Sequence, residues 1–122
     1  MPRVFLACHD IAFCKKLRIS FQSEGGFDVC EAEKNTVEAI QKAVGLQPDL
    51  VILETELSPT KDFYVAEAIK LIWPKVPLFL VTHQPSPLSE KEALSRGVDA
   101  VFEKENDLTS LLLNARAAVG LE

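Results

Sequence analysis

The stretch Asp49-Leu50-Val51-Ile52-Leu53-Glu54 decides the fold. Its four central residues are all apolar, so none of them is expected to be exposed to solvent. Uninterrupted apolar runs of this length are typical of parallel strands that helices cover on both faces. Pro48, directly before the stretch, excludes a helix that continues into it. The stretch therefore predicts a central parallel strand with an acidic side chain, Glu54, at its carboxyl end.

Strands and helices alternate on both sides of this strand. We predict strands at 3–8, 27–31, 50–53, 76–82 and 98–102. The residues predicted to begin the intervening helices are Asp10, Asn35 with Glu38, Ser89 with Glu92, and Asp107. The residues predicted to end helices are Gly25, Gly45, Pro74 and Gly97. Strict alternation with right-handed crossovers predicts an α/β fold, a flavodoxin-like doubly wound sheet of five parallel strands in the order 2-1-3-4-5 with five helices. We expect one domain over 1–122.

Polar and reactive side chains collect at one edge of the predicted sheet. Ligands of doubly wound sheets bind at the carboxyl ends of the strands. The residues at those ends are Cys8, His9 and Asp10 after strand one, Glu54 after strand three, Thr82 and His83 after strand four, and Lys104 after strand five. This edge is the candidate functional site.

The composition excludes several classes of protein. The chain has 18 acidic and 13 basic residues, a net charge of −5, which opposes direct binding to nucleic acid. No apolar run is long enough to span a membrane, and the start enters a strand without a secretory signal region. Three cysteines, an odd number, fit reduced thiols better than a disulfide framework, so we expect a cytoplasmic location.

Several separate segments together resemble the receiver domain of bacterial two-component response regulators, the CheY-like family. The matching segments are Pro48 to Leu53 before the acceptor position, Leu57 three residues beyond it, Thr82, Gly97-Val98-Asp99-Ala100, and Lys104. The resemblance covers essentially the whole chain. The dipeptide Lys104-Glu105, which lacks the proline that many receivers carry there, is most similar to receivers of nitrate-regulator-type helix-turn-helix regulators.

The resemblance implies a role for each residue of the site. In the family an aspartate accepts a phosphoryl group, two acids hold Mg²⁺, and a hydroxyl and a lysine contact the phosphoryl oxygens. The positions here are Glu54 for the acceptor, Cys8 and His9 for the acid pair with Asp10 after them, Thr82 and Lys104 for the phosphoryl contacts, and Phe102 for the aromatic switch residue. His83 stands where the family has a small residue that leaves room for the phosphoryl donor.

The replaced residues predict a site that has lost its phosphoryl chemistry. A thiol and an imidazole give Mg²⁺ no oxygen ligands, so we expect no metal and no cofactor. Glu54 carries its carboxylate roughly 1.5 Å beyond the family's position, and a misplacement of about 1 Å can cost on the order of a hundredfold in rate. We therefore expect a pseudo-receiver, a binding module and not an enzyme, in which Glu54 imitates a phosphorylated aspartate toward Thr82 and Lys104.

Three alternatives remain open at this point. The first is that Glu54 only forms a structural ion pair with Lys104 while Thr82 simply ends a strand. The second is that the site still accepts a phosphoryl group with atypical residues. The third is a metal or redox sensor built from Cys8, His9, His83 and the nearby acids. The other two cysteines, Cys14 and Cys30, are interpreted as small buried apolar residues.

The resemblance also implies partners. We expect a protein partner, an output domain of the same protein, or a second copy of the chain in a homodimer, and neither nucleic acid nor membrane. The docking surface expected from the family, on helix four, strand five and helix five, includes Lys91, Leu94, Ala100, Phe102 and Leu111.

Overall fold

The computed structural model describes residues 1–56 and 61–121. The elements, in chain order, are β1 (Arg3–Cys8), α1 (Ile11–Glu24), β2 (Asp28–Glu31), α2 (Val37–Gln41), β3 (Leu50–Glu54), α3 (Lys61–Ile72), β4 (Leu78–Thr82), α4 (Pro87–Ser95), β5 (Ala100–Glu103) and α5 (Leu108–Ala118). Leu57, one of the residues that carry the family resemblance, lies outside the described residues.

The five strands form one parallel sheet in the order β2-β1-β3-β4-β5. This confirms the predicted fold and strand order. The register pairs Cys8 of β1 with Glu54 of β3, and Thr82 of β4 with Glu103 of β5. Because all strands run the same way, their carboxyl ends meet at one edge, where the candidate site lies.

The core lies on both faces of the sheet, which explains the apolar run in β3. Alternate residues of a strand point to opposite faces. Leu50 and Ile52 pack on the face covered by α1 and α5, whereas Val51 and Leu53 pack on the face covered by α2, α3 and α4. Every residue of β3, including Glu54, is fully buried.

Two of the predicted helix starts were wrong by a few residues. The side chain of Thr36, not that of Asn35, caps α2 by accepting a hydrogen bond from the Ala39 N–H at 3.2 Å. In α4 the reciprocal cap forms between Ser86 and Ser89, three residues before the predicted pair. Two serines three residues apart offer the same bonds as a serine with a glutamate, so the pattern alone did not choose between them.

The ends of α2 and the start of α5 also differ from the prediction. Helix α2 ends at Gln41, before the predicted end at Gly45, and Val44 is 62% exposed. Asp107 precedes α5 but makes no side-chain cap, because its carboxylate accepts the Glu103 N–H at 2.8 Å. Strand β5 begins at Ala100, two residues later than predicted.

Part of the predicted docking surface is unavailable for contact. Phe102 and Leu111 are buried in the core, whereas Lys91 and Leu94 on α4 are exposed. The sequence could not distinguish these positions because an apolar residue suits both a core and an interface. None of the helices in the described ranges combines the length and the apolar composition needed to cross a bilayer.

Candidate functional site

Glu54 is the buried centre of the site. Its Oε1 accepts hydrogen bonds from two consecutive backbone N–H groups, that of His9 at 2.9 Å and that of Asp10 at 2.6 Å. Both donors belong to the loop between β1 and α1. Hydrogen bonds to an ionised acceptor are among the stronger ones in proteins. The carboxylate thus fixes this loop against the end of β3.

Asp10 connects the same loop to α1 and to Lys104. Its Oδ1 accepts the Phe13 N–H at 3.1 Å and so caps the helix, as predicted, while its Oδ2 accepts from Lys104 Nζ at 2.6 Å. The hydrogen bond from Lys104 and that from the Phe13 N–H hold the pKa of Asp10 below its ordinary value of 3.8. One carboxylate therefore serves as helix cap and as ion-pair partner.

Lys104 lies between the two acids, and Asp10 is its closer partner. Lys104 Nζ is 2.6 Å from Asp10 Oδ2 but 3.6 Å from Glu54 Oε2, and it also lies 5.1 Å from the centre of the Phe13 ring. Partial burial alone lowers the pKa of Lys104, but the hydrogen bond to Asp10 and the charge of Glu54 outweigh it and raise the pKa. The simple Glu54–Lys104 pair considered from the sequence is thus a three-membered cluster.

Thr82 does not complete that cluster. Its hydroxyl is buried and has no hydrogen-bond partner within the described ranges, and the same holds for Glu54 Oε2. Glu54 was expected to hold both Thr82 and Lys104. It lies within ion-pair distance of Lys104, whereas it makes no hydrogen bond with the Thr82 hydroxyl. Phe102 is turned inward, with its ring centre 5.1 Å from that of Phe79.

The two histidines stand outside the buried cluster. His9 is exposed and takes part through its backbone N–H. The His83 side chain is 58% exposed and contacts the Glu105 carboxylate, which lowers the pKa of Glu105. His83 borders a pocket of about 940 Å³ that also reaches Glu54, Phe63 and Lys104. The side chain therefore borders the same pocket as Glu54, and its role in limiting access of a phosphoryl donor stays a prediction from the sequence.

Two residues of the site were not predicted from the sequence. Asn35, expected to cap α2, instead donates from Nδ2 to the backbone carbonyl of Glu54 at 3.1 Å. Phe13, which was not assigned to the site, presents its ring to Lys104. An asparagine directly before a capping threonine is compatible with either role, so no local signal separated them.

The expectation of reduced thiols was wrong for two of the three cysteines. Cys8 and Cys14 form a disulfide, with their Cα atoms 5.8 Å apart, and Cys30 is free. The prediction assumed that a chain with a sufficient core needs no disulfide, but the fold places the first turn of α1 beside the end of β1. Proximity, which composition does not reveal, decides the pairing.

The residues present do not fit Mg²⁺. Cys8, at the position of one family acid, is bonded to Cys14, and His9 presents no carboxylate. The remaining acids, Asp10 and Glu54, are already engaged by Lys104 and by backbone N–H groups. Within the described residues no group of three or more His, Cys, Asp or Glu side chains could hold one metal ion, so the soft-metal alternative has no geometric support.

Solved receiver domains share this fold along nearly the whole chain. A two-component response regulator from Clostridium difficile has a TM-score of 0.83 at 25% identity, over 98% of this chain and 97% of that chain. The Vibrio cholerae chemotaxis protein CheY4 has a TM-score of 0.82 at 20% identity, over 97% and 98%. The receiver domain of a Francisella response regulator has 0.83 at 15%, over 98% of both chains.

Comparison by sequence adds nothing to this likeness: no protein-family model matches the chain, and no curated protein matches it. The fold is that of the receiver domains of two-component response regulators. Its site carries Glu54, Cys8 and His9 at the three positions where the resemblance places acids of the phosphoryl chemistry.

Proposed function

We propose that the protein is a receiver-like module of two-component signalling that acts by contact with another protein and without phosphorylation at Glu54. The observation that carries the proposal is the state of the Glu54 carboxylate. It is buried, and its Oε1 already binds the His9 and Asp10 N–H groups. A phosphoryl acceptor must present a free oxygen in line with its donor.

The second carboxylate oxygen supports the same conclusion. Glu54 Oε2 is buried and faces the Lys104 ammonium at 3.6 Å, so a positive charge already balances it. Phosphoryl transfer needs cations to neutralise the incoming phosphoryl oxygens. Here the lysine of the site is engaged with Asp10 and Glu54, and no cluster of oxygen ligands supports a metal among the described residues.

The geometry supports only half of the phosphate-mimic hypothesis. Glu54 holds the β1–α1 loop and contributes to the charge around Lys104, but it leaves the Thr82 hydroxyl unpartnered among the described residues. We propose that Glu54 fixes one arrangement of the site through the loop and not through Thr82. The output is then a constant surface, without two states that phosphorylation could interchange.

The proposed partner is a protein, either a separate one or an output domain of the same protein, and a second copy of the chain is the alternative. The apolar side chains exposed on α4, Leu88 and Leu94, together with Lys91, give this surface a mixed apolar and charged character. A cytoplasmic location and the likeness to nitrate-regulator-type receivers stay predictions from the sequence.

Incubation with acetyl phosphate and Mg²⁺ tests the proposal by intact mass. We expect no phosphoryl adduct on the wild-type protein, because Glu54 is occupied and the metal ligands are replaced. The positive control carries Cys8→Asp, His9→Asp and Glu54→Asp together, which returns the three family acids and is expected to gain the adduct. A Cys8→Ser variant separates loss of the disulfide from gain of the acids.

A phosphoryl adduct on the wild-type chain that disappears in Glu54→Gln contradicts the proposal and establishes the atypical phosphoacceptor instead. An adduct that persists in Glu54→Gln lies at another residue and leaves Glu54 without the acceptor role, as proposed.

A further inference from the structure

The disulfide encloses the part of the chain that holds Glu54. Cys8 is the last residue of β1, and Cys14 lies in the first turn of α1. Between them stand His9 and Asp10, whose N–H groups bind Glu54 Oε1. Four connections of three kinds therefore act on one short loop: the disulfide, the two hydrogen bonds to Glu54, and the ion pair between Asp10 and Lys104.

The backbone geometry suits repeated making and breaking of this bond. The Cα atoms of Cys8 and Cys14 are 5.8 Å apart, inside the range that disulfides adopt. Cys8 is held by the sheet through its pairing with Glu54, and Cys14 by the helical hydrogen bond from its N–H to the Asp10 carbonyl. Neither position depends on the disulfide alone, so the two thiols stay neighbours after reduction.

Both cysteines border the protein surface, since Cys8 is 9% and Cys14 is 8% exposed. A surface groove of about 350 Å³ is lined by both cysteines and by charged residues of both signs, among them Lys15, Arg18, and Glu31. Arg18 is paired with Glu31 at 2.6 Å. Lys15 lines the same groove, and its positive charge attracts a small thiolate, the form of thiol that attacks disulfides.

We propose that Cys8 and Cys14 are a reversible thiol–disulfide pair that exchanges with low-molecular-weight thiols of the glutathione type and thereby sets the rigidity of the Glu54-binding loop. For reduction, a small thiolate attacks one protein sulfur and releases the other cysteine as a thiolate, which takes up a proton. A second small thiolate attacks the resulting mixed disulfide and releases the second cysteine. Two electrons pass from two small thiols to the protein disulfide, and one small disulfide leaves; oxidation is the reverse.

The expected consequence is local. A disulfide stabilises mainly by restricting the open states of the loop that it closes. Loss of this restriction leaves the loop held only by the hydrogen bonds to Glu54 and by the Asp10–Lys104 ion pair, so the His9 and Asp10 N–H groups open more often. Cys30, on β2, is free and lies outside this loop, which makes it a matched control. The inference does not depend on the proposed function, because it concerns the loop whether or not Glu54 accepts a phosphoryl group.

The test equilibrates the folded protein with glutathione buffers of increasing oxidised fraction, then alkylates free thiols and counts them by mass. The wild-type protein is expected to pass from three alkylated thiols to one in a single two-electron transition, and Cys30→Ser from two to none. Cys14→Ser and Cys14→Ala lack the partner and are expected to show no such transition.

A second readout on the same samples is amide hydrogen exchange at His9 and Asp10. We expect reduction to accelerate exchange at both amides by roughly tenfold or more in the wild-type protein and in Cys30→Ser. A constant number of alkylated thiols over the whole range of buffers, whether three or one in the wild-type protein, overturns the proposal. So does a complete redox transition that leaves both exchange rates unchanged.

Discussion

Replacing Glu54 with alanine is expected to lower the free energy of unfolding by about 2–6 kcal/mol, because two backbone donors lose their acceptor at a cost of about 1–3 kcal/mol each. The two donors are the N–H groups of His9 and Asp10. Glu54→Gln keeps an acceptor oxygen at nearly the same place and loses only the charge. We expect it to cost about 1 kcal/mol, the difference between charged and neutral hydrogen bonds.

Urea unfolding of both variants measures the two costs, and amide exchange at His9 and Asp10 locates them. Exchange should accelerate in the alanine variant and change little in the glutamine variant. Equal losses of stability in the two variants, with the same exchange at both amides, contradict the account, because then the side-chain oxygen is not what holds the loop.

Replacing Lys104 with methionine is expected to destabilise the protein by about 1–3 kcal/mol. The side chain of Glu54 is only 1% exposed, so its charge loses a partner in a buried place, and breaking a fully buried pair costs about 3–5 kcal/mol. Asp10 is 39% exposed, and solvent screening at that edge reduces the loss. Glu54→Gln combined with Lys104→Met should recover much of the stability, since no buried charge is then left unpaired.

The effect of Lys104→Met should also depend on pH. The pKa of Asp10 in the folded protein lies below its ordinary value of 3.8, so its ion pair stabilises the fold above about pH 3.8. That stabilisation is lost as the pH falls through the lowered pKa. The gap between wild-type and variant stability should therefore narrow in acid, below about pH 3.8.

A double-mutant cycle for Glu54 and Lys104 by urea unfolding measures their coupling. Effects that add within about 0.3 kcal/mol would show that the two side chains do not interact, and the three-membered cluster would reduce to the pair of Lys104 with Asp10. A parallel cycle for Asp10 and Lys104, using Asp10→Asn to keep the helix cap, serves as the control.

The order of the sheet could be predicted because it follows from regular patterns. The apolar run of β3 and the alternation of elements leave few topologies that obey the rules for parallel sheets. The edge that carries Glu54, Thr82 and Lys104 follows directly from that topology. These features depend on the order of strands and helices along the chain and not on short distances between side chains.

The contacts inside the site depend on distances that the sequence does not contain. Lys104 Nζ lies 2.6 Å from Asp10 Oδ2 and 3.6 Å from Glu54 Oε2. The position of Asp10 in the β1–α1 loop makes it the closer partner. Cys14 is buried in the core, as interpreted from the sequence, but its bond to Cys8, which the first turn of α1 brings about, was not predicted. Differences of about an ångström decide both outcomes, and residue type alone does not fix them.

The central claim is that Glu54 and Lys104 hold the site in one arrangement that neither Mg²⁺ nor a phosphoryl group changes. Titration of isotope-labelled protein with Mg²⁺ and beryllofluoride, an analogue of the phosphoryl group, tests it most directly at the amide signals of His9, Asp10, Thr82 and Lys104. The account predicts that these four signals stay unmoved in the wild-type protein and shift in the variant with the three restored aspartates. Saturable shifts at these amides in the wild-type protein, abolished by Glu54→Gln, would contradict it.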